Sequence, residues 1–243
     1  MPDVSIANSL DYLPDLLQGL LWTLGISAAV MVLSLIGALF VALARLSPWK
    51  PVRGIALSYV EIIRCTPALV QLYYIFYVLP LFGLALPALV AGVVAFTLIY
   101  SAFISEVYRA ALMAVPPTQM EAARALGMNY WQAMFKVILP QAARTATPPT
   151  VNYLLSLIKD TSLLSVITIQ ELMFSGLILA SRTFEYFTIL TLVAIIYFVV
   201  CFPLTILARR LERRFDNELG YVNTGSVGLS GPGLLKRAWG AVK

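Results

Sequence analysis

The side chains that most often make and break bonds are scarce in this chain. It has no histidine, and its two cysteines, Cys65 and Cys201, stand far apart in apolar stretches. A zinc centre needs clustered thiolates and imidazoles, and an activated nucleophile needs a neighbouring base, so neither chemistry organises this sequence. A disulfide framework is excluded on the same count. No G-x-x-x-x-G-K-[ST] stretch occurs, and the glycines between Gly225 and Gly233 lack the lysine that would hold phosphates. No catalytic residue, metal or cofactor is therefore expected, and any use of nucleotide energy has to come from another subunit.

What remains is polar chemistry set in apolar surroundings. Glu61 with Arg64, and Glu106 with Arg109, lie one helical turn apart and can each bridge on their own helix. In the run Arg64, Thr66, Pro67, Gln71, the proline frees a backbone carbonyl and the glutamine offers polar contacts deeper in the same segment. Lys159, Asp160, Thr161 and Ser162 form a polar run entering another apolar segment. Adjacent side chains on a helix diverge, so part of that run should line a subunit interface or a pathway. A plainer reading stands beside each of these: charge pairs as topology anchors or packing bridges, and Asp160 as a cap on amides near Ser162.

The elements that position these groups follow from composition. Hydrophobic residues make up 60% of the chain and charged residues 12%, with a mean hydropathy of +0.86. A soluble surface needs more charge than that, so lipid is the expected solvent. A membrane helix takes about 20 apolar residues. Suitable runs occur at Gly19–Ala44, Ile55–Leu79, Leu84–Tyr108, within Val151–Ala180 and at Phe187–Leu207. The expected fold is all-α, with about five transmembrane helices. The net charge of +5 does not mark a nucleic-acid binder, because the basic residues sit between and after the apolar runs.

Their placement sets a direction. Arg45, Lys50 and Arg53 follow the first run; Arg109, Arg124, Lys136 and Arg144 lie between the third and fourth; Arg209, Arg210, Arg213 and Arg214 follow the fifth. The opposite side carries Arg182 balanced by Glu185, and the first eighteen residues hold acids without bases. The positive-inside rule then puts the N-terminus outside and the C-terminus in the cytoplasm. Asp3, Asp11 and Asp15 also argue against a signal peptide. Residues 1–18 read as an external amphipathic segment, 19–208 as the transmembrane unit and 209–243 as a cytoplasmic tail rich in Gly and Ser. For the tail, flexible linker and membrane-surface contact are the two readings.

The loop between the third and fourth runs, about residues 110–149, is long for a compact membrane protein. Pro116 and Pro117 stop the preceding helix; Thr118 with Glu121 is expected to form a capping box for a short helix through Leu126. Gly127 supplies a left-handed close, and Asn129 with Gln132 opens a second helix. One side of the first helix is small and alanine-rich, a surface suited to docking, although the same alanines also serve simply as helix formers.

The string from Glu121 to Ala142, EAARALGMNYWQAMFKVILPQA, resembles the cytoplasmic loop signature of binding-protein-dependent ABC transporter permeases. Glu121, Ala122, Ala123, Gly127, Val137, Leu139 and Pro140 fill that pattern. Gly19 with Thr23-Leu24, the stretch Glu61 to Pro67 with Gln71, Glu106 with Arg109, Asn152 and Lys159 to Leu163 are similar to motifs of the polar amino acid permeases. Cys65, Ala110 and Thr118 depart from the usual residues at their positions. The resemblance implies an ABC type I importer permease that pairs with an identical or related permease subunit, with an ABC ATPase subunit dimer and with an external solute-binding protein. It also implies a polar amino acid as cargo, a location in the bacterial cytoplasmic (inner) membrane, and a docking role for Glu121, Ala122, Ala123, Leu126 and Gly127. The other class compatible with the apolar runs is a self-contained secondary transporter or channel, which has no need of such a loop.

Overall fold

Residues 12–218 are described by the computed structural model, and every regular element among them is helical. Helix α1, Leu13–Arg45, carries Pro14 and Asp15 in its first turn and Arg45 in its last, the placements that suit a helix start and its dipole. Its 33 residues are about 50 Å long, ample for a bilayer core. Part of the segment expected to lie separately on the outer surface belongs to this helix. Residues 1–11 fall outside the described ones, but Leu13–Gln18 run unbroken into α1 and Leu16 is fully buried.

The second apolar run is not a straight span. Helix α2, Lys50–Cys65, stops at Thr66, and helix α3, Ala68–Tyr73, continues through a π-helical turn (Tyr74–Val78) and a 3-10 turn (Leu79–Phe82). The two halves meet at 110°. Thr66 and Pro67 are both extended, because proline pushes the residue before it out of the helical region and donates no N–H itself.

Helix α4, Ala88–Ala114, starts after Pro87 and ends before the Pro116-Pro117 pair. The loop then folds into α5, Pro117–Ala125, and α6, Tyr130–Ala133. A π-helical turn (Met134–Ile138) leads into α7, Leu139–Asp160, which a 3-10 stretch, Thr161–Ile167, continues. Much of the expected loop is therefore helix continuous with the spans it joins. Helix α8, Leu172–Thr183, follows a 49° bend, and α9, Tyr186–Glu218, closes the described chain. Three helices cross by length and composition, or up to five if each bent pair counts once.

Helix α4 is the axis of the bundle. Of its most apolar window 56% is buried, against 11% for α9, which lies at the periphery. Phe96, Ile99, Tyr100 and Ile104 pack with Ile26, Val30 and Met31 of α1 and with Leu157 and Leu164 from the α7 side. Small residues let α1 approach closely. A Cβ built on Gly19 would sit 2.6 Å from Ser175 Oγ and 3.0 Å from the Leu172 Cα.

Candidate translocation path and coupling helix

The break after α2 exposes backbone carbonyls that lipid cannot satisfy. Gln71 meets them. Its amide nitrogen donates to the Ile63 carbonyl at 2.9 Å, the Thr66 carbonyl at 3.0 Å and the Thr66 hydroxyl at 2.8 Å. Thr66 in turn donates to the Ile62 carbonyl at 2.7 Å. Three of the residues singled out in sequence, Thr66, Pro67 and Gln71, thus form one self-satisfied elbow.

The elbow opens onto a cavity of about 270 Å³ lined by Thr66, Gln71, Tyr100, Tyr153, Ser156 and Asp160 among apolar groups. The Tyr100 hydroxyl donates to Asp160 Oδ2 at 2.8 Å, and the Tyr153 ring packs on both Tyr100 and Phe103. Asp160 does not cap the turn that follows it; its carboxylate faces α4 instead. The rest of the polar run scatters. Lys159 is exposed, within electrostatic reach of Cys201 on α9. Thr161 is buried and donates to the Ile158 carbonyl. Ser162 offers its carbonyl to the Ser165 hydroxyl. Only Asp160 of the four joins the cavity. Tyr100, Tyr153 and Ser156 were not singled out in sequence, where each is an ordinary constituent of an apolar helix.

A charge cluster lies beyond, nearer the loop. Glu106 accepts from Arg45 Nη1 at 2.6 Å and from Arg109 Nε at 3.1 Å, and Arg64 Nη1 is 3.7 Å away. The Glu61–Arg64 contact is longer, 3.9 Å, and exposed. Arg45, read in sequence only as a topology marker, has a side chain just 5% exposed. One carboxylate therefore ties α1, α2 and α4 together. Arg64 and Glu106 also line an adjoining cleft of about 430 Å³ with Thr145 and Pro149.

Helix α5 starts at Pro117 with Pro116 as its N-cap residue and no side-chain cap, so Thr118 and Glu121 form no capping box. Proline supplies the start instead, through its fixed φ and missing N–H. The close is as expected. Gly127 has φ +79, its N–H donates to the Arg124 carbonyl at 2.9 Å, and the Met128 N–H donates to the Ala123 carbonyl at 3.1 Å, a Schellman pair. Asn129 and Gln132 make a reciprocal capping box on α6. Glu121, Ala122, Leu126 and Gly127 face outward, and Ala123 alone turns in, 3% exposed.

Sequence reading also passed over Glu171, a fully buried carboxylate. Its oxygens accept from the Met173 N–H at 2.9 Å, the Phe174 N–H at 2.8 Å and the Tyr197 hydroxyl at 2.9 Å. Thr23 of α1 receives the Leu172 N–H at 3.1 Å. This cluster caps α8 and links it to α1 and α9, a structural role that explains how the charge is tolerated in an apolar setting. No group of three or more metal-ligating side chains occurs among the described residues.

The sequence profile of a family described as binding-protein-dependent transport system inner membrane component matches residues 34–217. The L-cystine transport system permease protein TcyB of Bacillus subtilis (strain 168) is 39% identical over 84% of this chain and 87% of its own length. The probable glutamine ABC transporter permease protein GlnM of the same organism is 38% identical over 83% and 94%. A crystal structure of an amino acid ABC transporter with histidines superposes with a TM-score of 0.82 at 38% identity, covering 86% of this chain and 98% of the other. An inward-facing structure of the MetNI methionine ABC transporter shares the fold, with a TM-score of 0.65 at 20% identity, covering 82% of this chain and 95% of the other.

Proposed function

The chain belongs to the family of binding-protein-dependent transport system inner membrane components, and from that premise we propose that it is the gated half-channel of an importer for polar amino acids, moved through helix α5. As a member it is a multi-pass permease subunit of an ABC transporter in the inner membrane, not an enzyme, and ATP is hydrolysed in a separate subunit. In this proposal one subunit of an ATPase dimer grips the helix through Glu121, Ala122, Leu126 and Gly127, with Ala123 packed inward beneath them. A second permease, identical or related, completes the path, and an external solute-binding protein delivers the cargo. Residues 19–208 form the transmembrane unit, with the coupling loop at about 110–149 and the tail from 209 in the cytoplasm. The cargo passes the cavity lined by Thr66, Gln71 and Asp160. The Arg64–Glu106 cleft marks its cytoplasmic mouth.

The observation that carries this reading is the shape of α5: nine residues, started by proline and closed by Gly127, with Glu121, Ala122, Leu126 and Gly127 exposed. A short rigid helix between α4 and α7 converts a push from below into a tilt of both. A Cβ at Gly127 meets nothing within 4 Å, so substitution there acts through φ. A β-branched residue held left-handed is strained by about 1–2 kcal/mol. Gly127→Val is expected to insert normally, yet lose most uptake and most stimulation of the ATPase by loaded binding protein. Leu126→Asp, at a site 79% exposed, should leave the fold intact and weaken co-purification with the ATPase. Full uptake by both variants would overturn the assignment.

A further inference from the structure

At the end of the bundle next to α5, a third hollow of about 410 Å³ lies between α1, α4 and α7. Leu39, Leu43, Leu46, Leu112, Leu139 and Ala143 are among its lining. Its two threonines direct their hydroxyls to their own helix, Thr147 to the Ala143 carbonyl and Thr150 to the Ala146 carbonyl, both at 2.7 Å. Each of these hydroxyl protons is thereby committed to its own helix, and the rest of the lining is apolar apart from Tyr108. On the α1 side, Leu39, Leu43 and Leu46 are more than half exposed, and so are their neighbours Ile36 and Phe40. The hollow therefore opens into the outward apolar stripe of α1 and shares no lining residue with the polar cavity at the elbow.

The two walls of the groove end alike. Three residues past Leu46 comes Trp49, 72% exposed and followed by Lys50. Four residues before Leu139 comes Phe135, exposed and followed by Lys136, with the exposed Trp131 ring stacked on it at 6.0 Å and 25°. Exposed aromatics belong at the level where acyl chains give way to headgroups, and lysines just beyond them meet phosphate.

We infer that the groove is a binding site for one phospholipid with an anionic headgroup. One acyl chain fills the hollow, Trp49, Trp131 and Phe135 bracket the glycerol level, and Lys50 and Lys136 hold the headgroup. The charge and the aromatics on both walls select lipid over a second copy of the chain, which would bring the same lysines against its own. The inference goes beyond the transport reading and does not depend on the cargo; only the naming of the leaflet, cytoplasmic, uses the orientation proposed above. The bound lipid wedges α1, α4 and α7 at the root of the coupling helix.

The test uses the intact purified transporter, delipidated in detergent and titrated with dioleoyl phosphatidylglycerol or dioleoyl phosphatidylcholine under native mass spectrometry. One phosphatidylglycerol should be retained per copy of this chain. Filling the groove with Ala143→Leu and Thr147→Leu should lower that affinity more than tenfold. Lys50→Ala and Lys136→Ala should each lower it about fivefold for phosphatidylglycerol and leave phosphatidylcholine unchanged. As a check free of mutation, a phosphatidylglycerol with a photoreactive acyl chain should label 39–46 and 139–151 in the unmodified protein. No retained lipid, equal retention in the filled variant, or labelling confined to other helices would overturn the site. So would a Leu43→Cys disulfide between two copies, which would mean that the chain covers its own groove.

Discussion

Glu106 is surrounded by guanidinium groups from three helices, and the two ends of that arrangement are unequal. Arg64 and Arg109 are partly open to solvent, with side chains 45% and 36% exposed, whereas Arg45 is 5% exposed. Its Nε has no hydrogen-bond partner, so its charge depends on the single 2.6 Å contact to the carboxylate. Removing one member of such a pair strands the other, at a cost of about 3–5 kcal/mol, while replacing both with apolar residues is often neutral. Glu106→Gln is expected to lower the stability of the detergent-solubilised protein by that order. The double variant Arg45→Met with Glu106→Leu should recover most of it, as read from unfolding midpoints. A single variant as stable as the parent would mean that water reaches Arg45 and that the network is ornamental. Gln71 makes the complementary point about residue type: it was marked in sequence for a pathway and it lines the cavity at the elbow, yet its amide nitrogen is fully occupied in closing that elbow. The polar groups that cavity leaves open are then Asp160 with Tyr100, together with the Gln71 carbonyl oxygen.

At the scale of elements, helix ends were legible and helix directions were not. Proline and glycine act on the backbone locally, so the closure at Gly127 and the Asn129–Gln132 box could be read from spacing. The Thr118–Glu121 box failed because Pro117 starts the helix one residue earlier, which places Thr118 inside the first turn. The 110° elbow was foreshadowed by Pro67, but its size depends on two consecutive extended residues and on a side chain that returns to staple them. Glu171 and Arg45 were missed for a common reason: the contacts that tie them to other helices span 26 residues to Tyr197 and 148 to Thr23 for Glu171, and 61 to Glu106 for Arg45, and no such separation leaves a periodic trace. The α1–α8 crossing is the same kind of feature, and it can be tested. A methyl on Gly19 would press on the Leu172 backbone and on Ser175, and it would also pull Thr23 away from the Leu172 N–H. Gly19→Ala is expected to cost about 1–3 kcal/mol of stability, with Ser175→Gly recovering part of it in the double variant. No loss on Gly19→Ala would show that α1 can slide over α8 without penalty, and the capping cluster around Glu171 would then not fix their register.

The whole molecule is polarised by charge more than by shape. With each bent pair counted as one crossing, the chain passes five times, so the start of α1 and the α8–α9 turn share one side while α5 and the end of α9 share the other. Of the basic residues flanking the apolar runs, eleven belong to the second side and Arg182 alone to the first, with Glu185 beside it. Because a bilayer separates them, this asymmetry fixes direction through the cost of moving Lys and Arg across during insertion. The proposed coupling role needs that second side to be the one where ATP is. In a background with Cys65→Ser and Cys201→Ser, Phe184→Cys and Leu126→Cys put single thiols on the two sides, at positions 84% and 79% exposed. An impermeant maleimide added to spheroplasts should label Phe184→Cys at once and Leu126→Cys only after the membrane is opened. Binding of the ATPase should then protect Leu126→Cys and leave Phe184→Cys reactive. Labelling in the opposite order would put α5 outside, where no nucleotide-driven partner can reach it, and the coupling mechanism would fall with the orientation.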